Sequence, residues 1–133
     1  MNIALMAHDR KKELMVQFCI AYCGILAGHD LCATSTTGRL VTEATGLPIN
    51  LYLSGGQGGI QQIGARIAYN ELDVVLFFSD PLQPGAGAEL LEISNLCDQH
   101  NIPFASNVAT AEVLIRGLRE GYLDWRDIVN PKK

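Results

Sequence analysis

The segment Asp73-Val74-Val75-Leu76-Phe77-Phe78-Ser79-Asp80-Pro81 holds an unbroken apolar run between polar residues. A strand with one wet face alternates apolar and polar side chains. A continuous run needs both faces covered, as in a parallel sheet between two helix layers. Residues 73–78 therefore read as a central buried strand. Pro81 cannot continue a ladder, so the Asp80 carboxylate is expected to project into whatever crevice lies beyond the strand end.

Outward from this strand, short apolar runs alternate with helical patterns. Residues 3–7 read as a strand and residues 11–27 as a helix with an apolar side of Leu14, Met15, Phe18, Tyr22, Ile25 and Leu26, stopped at Gly28. A strand at 31–34 precedes a short helix between Thr37-Gly38 and Thr45-Gly46. A strand at 49–53 and a helix at 59–69 lead to the central strand. Beyond it come a helix at 88–100, a strand at 103–106 and a helix at 109–120. Five such β–α units with right-handed crossovers make a doubly wound five-stranded parallel sheet in a three-layer α/β/α arrangement.

The 133 residues fit one domain, residues 1–133, without a second. With 48% hydrophobic and 18% charged residues the chain can fill a core, and a folded, soluble domain is expected. The formal net charge of −4, with no basic run longer than Arg10-Lys11-Lys12, argues against a nucleic-acid surface. No apolar run reaches the roughly 18 residues of a membrane span, and the start Met1-Asn2-Ile3 lacks the marks of a secretory signal; a cytoplasmic location follows as an expectation. Cys19, Cys23, Cys32 and Cys97 form no CxxC pair and read as reduced, structural residues. His8, His29 and His100 are too scattered for a metal cluster, so no metal or cofactor is expected.

In doubly wound sheets the ligand lies beyond the carboxyl ends of the strands, where the winding reverses. Thr34-Ser35-Thr36-Thr37-Gly38 sets four hydroxyls and a glycine at a helix start, where free N–H groups and the helix dipole favour an anion. Ser54-Gly55-Gly56-Gln57-Gly58-Gly59 is a second such turn, and Lys12 lies one turn into the first helix. Together they suggest a phosphate or carboxylate cradle. The plainer readings are that Thr36 or Thr37 caps a helix and that the glycines only turn the chain. Neither GxxxxGK[ST] nor GxGxxG occurs, so a nucleotide P-loop or dinucleotide fingerprint is unsupported. His8-Asp9 and Asp80 end the two central strands, and two carboxylates with a histidine suit proton transfer beside a carbonyl. Alternatively, Asp9 caps the first helix and Asp80 bonds its own loop.

The series Ile3-Ala4-Leu5-Met6-Ala7-His8-Asp9 with Lys12, Ala33-Thr34-Ser35-Thr36-Thr37-Gly38, Ala44-Thr45-Gly46-Leu47, Leu53-Ser54-Gly55, Gly58-Gly59 with Gln61-Gln62, Phe77-Phe78-Ser79-Asp80-Pro81-Leu82 and Asn107-Val108-Ala109-Thr110-Ala111 resembles the methylglyoxal synthase family, in order and over nearly the whole chain. The resemblance implies strand order 3-2-1-4-5 and a homohexamer. It implies a lyase that removes a proton from dihydroxyacetone phosphate, forms an enediolate and expels inorganic phosphate to give methylglyoxal. By matching motif, Lys12, Thr34, Thr37, Ser54 and Gly55 would hold the phosphate and Ser35 and Thr36 would complete the turn. His8 would touch the substrate oxygens, Asp80 would lie beside them and Asp9 would orient the site.

Two departures stand out. The family's Gly-Gly is normally followed by an aspartate, the catalytic base, and here Gly58-Gly59 is followed by Ile60. Ile60, Ile63 and Ile67 share helical spacing, so Ile60 is available to a core stripe. The loop after Asp80-Pro81-Leu82, which usually carries a histidine and an aspartate, reads Gln83-Pro84-Gly85-Ala86-Gly87-Ala88-Glu89, and only Glu89 offers an acid. Losing a positioned base costs about 10²–10⁴-fold in rate. The sequence thus leaves three readings: a lyase with Asp80 or Asp9 as base, a non-catalytic module binding a small phosphorylated metabolite, and a lyase or isomerase for another phosphorylated ketone.

Overall fold

A computed structural model describes residues 1–131. Strands β1 (Asn2–Ala7), β2 (Asp30–Ala33), β3 (Ile49–Leu51), β4 (Val74–Phe78) and β5 (Phe104–Ala105) form one sheet. Every neighbouring pair is parallel and the order is β3-β2-β1-β4-β5. The helices are α1 (Lys12–Ala21), α2 (Cys23–Leu26), α3 (Ser35–Thr45), α4 (Gly59–Ala68), α5 (Ala86–Gln99), α6 (Val108–Arg119) and α7 (Trp125–Val129). None of the described helices is long and apolar enough to cross a membrane.

Alternation along the central strands sorts the core into two layers. Ile3, Leu5 and Ala7 of β1 join Val74, Leu76 and Phe78 of β4 on one face, under Met15, Phe18, Val41 and Ile115 of α1, α3 and α6. Ala4 and Met6 join Val75 and Phe77 on the other, under Ile60, Ile63, Ile67 and Ile93 of α4 and α5. Both faces of β4 are covered, which is what its unbroken apolar run requires.

Several boundaries differ from the sequence reading. The first helix breaks at Tyr22 (φ −110°, ψ 21°) and resumes as α2, next to the weak helix former Gly24. Helix α3 begins at Ser35, so Thr34 to Thr37 are its cap and first turn. Gly38 lies inside it because a Cβ there would run into the Leu51 side chain and lie 3.1 Å from the Ala33 Cβ. Helix α5 begins at Ala86, after Gly85 in the left-handed region (φ 80°), leaving residues 79–85 as the connection from β4 and placing Gly87 within the helix. Strand β3 stops at Leu51.

Beyond the helices expected from the sequence lies α7, anchored by Arg126. The guanidinium is buried and donates to Asp73 Oδ1 at 3.2 Å, Asn70 Oδ1 at 2.9 Å and the carbonyls of Leu72, His100 and Asn101. Asn70 and Asn101 both have positive φ, a conformation that asparagine tolerates, and their turns lead toward β4 and β5. The C-terminal segment thus locks the amino ends of those strands, and Arg126 is used within its own chain.

Candidate functional site

Strand β1 ends at Ala7, and His8 takes an extended conformation before a 3-10 turn, Asp9–Lys11, feeds α1. The His8 amide donates to Phe78 O at 3.0 Å, joining the carboxyl ends of β1 and β4 where the winding reverses. The imidazole is buried, with its ring edge-on to Phe77 at 5.0 Å. Its Nδ1 accepts the Asp80 amide N–H at 2.8 Å. That bond selects the tautomer with the proton on Nε2, and Nε2 lies 3.2 Å from Glu89 Oε1.

A cavity of about 560 Å³ opens at this point, lined by His8, Asp9, Lys12, Thr34, Thr36, Ser54, Gly55, Gly56, Ile60, Gln83, Pro84, Gly85 and Glu89, with Met6, Ala7 and Phe77 at its base. Lys12 Nζ donates to Ala7 O at 2.6 Å and meets Asp9 Oδ1 at 3.2 Å, so an ammonium proton remains for a ligand. The first turn of α3 brings Thr34 and Thr36. Its Ser35 amide donates to Leu53 O and its Gly38 amide to Thr34 O, whereas the Thr36 and Thr37 amides precede the first intrahelical bonds. Ser54 caps the 3-10 turn Gly55–Gln57, and Gln62 Oε1 steadies it by accepting the Leu53 amide at 2.8 Å. Two helical amino ends and one lysine therefore converge on the same space, an arrangement suited to an oxyanion.

Not every residue singled out from sequence reaches the wall. Successive helical residues turn by about 100°, so Ser35 faces a shallow neighbouring depression with Arg39 and Leu51. Thr37 is buried behind the wall, its Oγ1 without a hydrogen-bond partner. Asp80 is buried but does not line the cavity; its Oδ1 accepts the Leu82 amide at 3.0 Å, the loop-closing role weighed from sequence. Asp9 lines the rim with its side chain 93% exposed. Ile60 does two things: it packs with Ile63 and Ile67 in the core and presents an alkyl surface to the cavity. The sequence offers Glu89 as an acid after the central strand without positioning it. The usable signal was its position four residues after the helix-capping Gly85, in the first turn of α5, where an acidic side chain complements the helix dipole. No group of three or more His, Cys, Asp or Glu side chains able to hold a metal ion occurs among the described residues.

The family model of the MGS-like domain matches residues 15–106. A methylglyoxal synthase of Caldicellulosiruptor saccharolyticus is 59% identical, covering 99% of this chain and 94% of its own length. This chain belongs to the methylglyoxal synthase family. A relative of the same name from a Thermoanaerobacter species is 54% identical over 96% of this chain and 98% of its own. The crystal structure of methylglyoxal synthase from Elizabethkingia anophelis superposes with a TM-score of 0.77 at 39% identity, covering 86% of this chain and 76% of that one. The five-stranded all-parallel sheet flanked by helices is consistent with that structural likeness.

Proposed function

We propose that this chain, acting as one domain over residues 1–133, is a lyase of methylglyoxal synthase type that converts dihydroxyacetone phosphate to methylglyoxal and inorganic phosphate without a cofactor. The observation that carries this reading is the single cavity gathering Lys12, Thr34, Thr36, Ser54, Gly55 and His8. Lys12, the Thr34, Thr36 and Ser54 hydroxyls and the amides at the two helical amino ends hold the phosphate dianion. Asp9 orients Lys12. His8, with its proton on Nε2, donates to the substrate carbonyl oxygen and stabilises the enediolate; Asp80 fixes that tautomer through its backbone amide. The same cradle then accepts the charge that builds on the departing phosphate.

Incubating the purified protein with dihydroxyacetone phosphate is expected to release methylglyoxal and phosphate in equal amounts, and Lys12→Ala to raise KM sharply. Absence of turnover alongside tight phosphate binding would instead favour a regulatory phosphometabolite-binding module, a second reading supported by the alkyl surface of Ile60. Turnover only of a longer phosphorylated ketone would point to a related lyase or isomerase.

This reading carries a cytoplasmic homohexamer. The large apolar side chains Leu51 and Leu53, 43% and 50% exposed at the open β3 edge of the sheet, support burial between copies.

A further inference from the structure

We infer that Glu89 is the general base of this cavity, taking the carbon-bound proton that begins the reaction; this rests on the lyase reading above and names the group that reading leaves open. Among the described residues, only two carboxylates line the cavity, Asp9 and Glu89. Asp9 projects into solvent and is held by Lys12, on the phosphate side. The Asp80 carboxylate lies off the wall and accepts the Leu82 amide. Glu89 is partly withdrawn from water, with its side chain 31% exposed, and its Oε1 is 3.2 Å from the protonated His8 nitrogen. It also comes from a different direction. The phosphate-holding groups stand at the ends of β1, β2 and β3, whereas Glu89 enters on α5, after β4. A ligand with phosphate at one end and a hydroxymethyl ketone at the other would set its reactive end against Glu89 and His8. A glutamate base with a neutral histidine electrophile is an effective pairing for enolising a phosphorylated ketone.

The step balances as follows. Glu89 takes a proton from the hydroxymethyl carbon; the C–H pair becomes the carbon–carbon double bond and the carbonyl pair moves onto oxygen, where His8 Nε2–H donates. A proton passes between the two enediolate oxygens, and the oxygen on the former hydroxymethyl carbon re-forms a carbonyl. The double bond shifts toward the phosphate-bearing carbon, and the C–O bond breaks with its pair leaving on phosphate. The proton held by Glu89 goes to that phosphate, which departs as hydrogen phosphate, and the remaining enol tautomerises to methylglyoxal.

The test compares wild type with Glu89→Gln, which keeps size and an acceptor for His8, and with Glu89→Asp, which keeps the carboxylate. Glu89→Gln is expected to lower kcat by about 10²–10⁴-fold, to abolish deuterium wash-in from heavy water at the hydroxymethyl carbon, and to leave inhibition by inorganic phosphate unchanged. Glu89→Asp should recover part of the exchange and of kcat. An active wild type whose Glu89→Gln variant turns over and exchanges normally would overturn Glu89 as base while leaving the lyase reading intact. A wild type that binds phosphate but neither exchanges nor turns over would overturn both.

Discussion

At position 60 an isoleucine fills a core layer and at the same time walls the cavity. Its packing was legible because Ile60, Ile63 and Ile67 repeat at helical spacing. Its place on the wall follows from the Gly58–Gly59 turn, and a Cβ on Gly55 would lie only 3.5 Å from Ile60 Cδ1. Ile60→Asp is expected to lower stability by roughly 1.5–3 kcal/mol through lost apolar burial, read as a shift in the urea midpoint at constant m-value. In a Glu89→Gln background the new carboxylate should restore turnover. The cysteines make a second residue-scale prediction. All four are unbridged, and burial pushes the Cys19 and Cys97 thiols up to about 12 and raises Cys32 as well. Thiolate is the reactive form, so at pH 8 in native protein a thiol reagent should titrate only the half-buried Cys23 promptly. Denaturant should bring the count to four. Prompt labelling of two or more native thiols would contradict the burial.

Elements meet closely at two glycines of α4, for opposite reasons. A Cβ on Gly59 would overlap the Leu53 carbonyl oxygen, a backbone atom that cannot swing aside. Gly59→Ala is therefore expected to cost about 1–3 kcal/mol or more and to displace the Ser54–Gly56 turn, weakening phosphate binding with it. At Gly64 the added methyl would make ordinary contacts, 3.5 Å to Leu96 Cδ1 and 3.7 Å to Ile93 Cδ1. There the gain in helix propensity predicts a variant as stable as wild type or up to about 1 kcal/mol better. Comparing the two thermal midpoints checks the contrast. Periodicity foresaw α4 closely, because its amphipathic stripe and its glycine entry agree. It placed the start of α3 late, after Thr37-Gly38, because Gly38 reads as part of the turn at the helix start until its close packing on β2 and β3 is known.

For the whole molecule, the joint between the C-terminal segment and the amino ends of β4 and β5 is the buried Arg126. Removing one partner of a buried ion pair costs about 3–5 kcal/mol, so Arg126→Ala should lower the unfolding midpoint strongly. Arg126→Lys should recover little, since an ammonium cannot reach acceptors spread around a planar guanidinium. Ligand linkage adds a global readout: phosphate at 100 times its Kd should stabilise the fold by about 2.7 kcal/mol, an effect that Lys12→Ala should diminish. The amino-acid sequence by itself determined the five β–α units, the parallel sheet and the strand ends at which a ligand would bind, because burial on two faces and helical period are local patterns. Strand ends also named His8, Thr34, Thr36, Ser54 and Gly55, and the first helix named Lys12; the fold brings all six to one cavity. Tertiary structure alone decided which carboxylate faces that cavity. Asp80 and Glu89 are both acids near a strand end, but a two-residue turn draws one into its own loop while the first turn of α5 carries the other to His8. It also decided that Arg126 is an internal clamp, since its five acceptor residues, Asn70, Leu72, Asp73, His100 and Asn101, converge only after the sheet has formed.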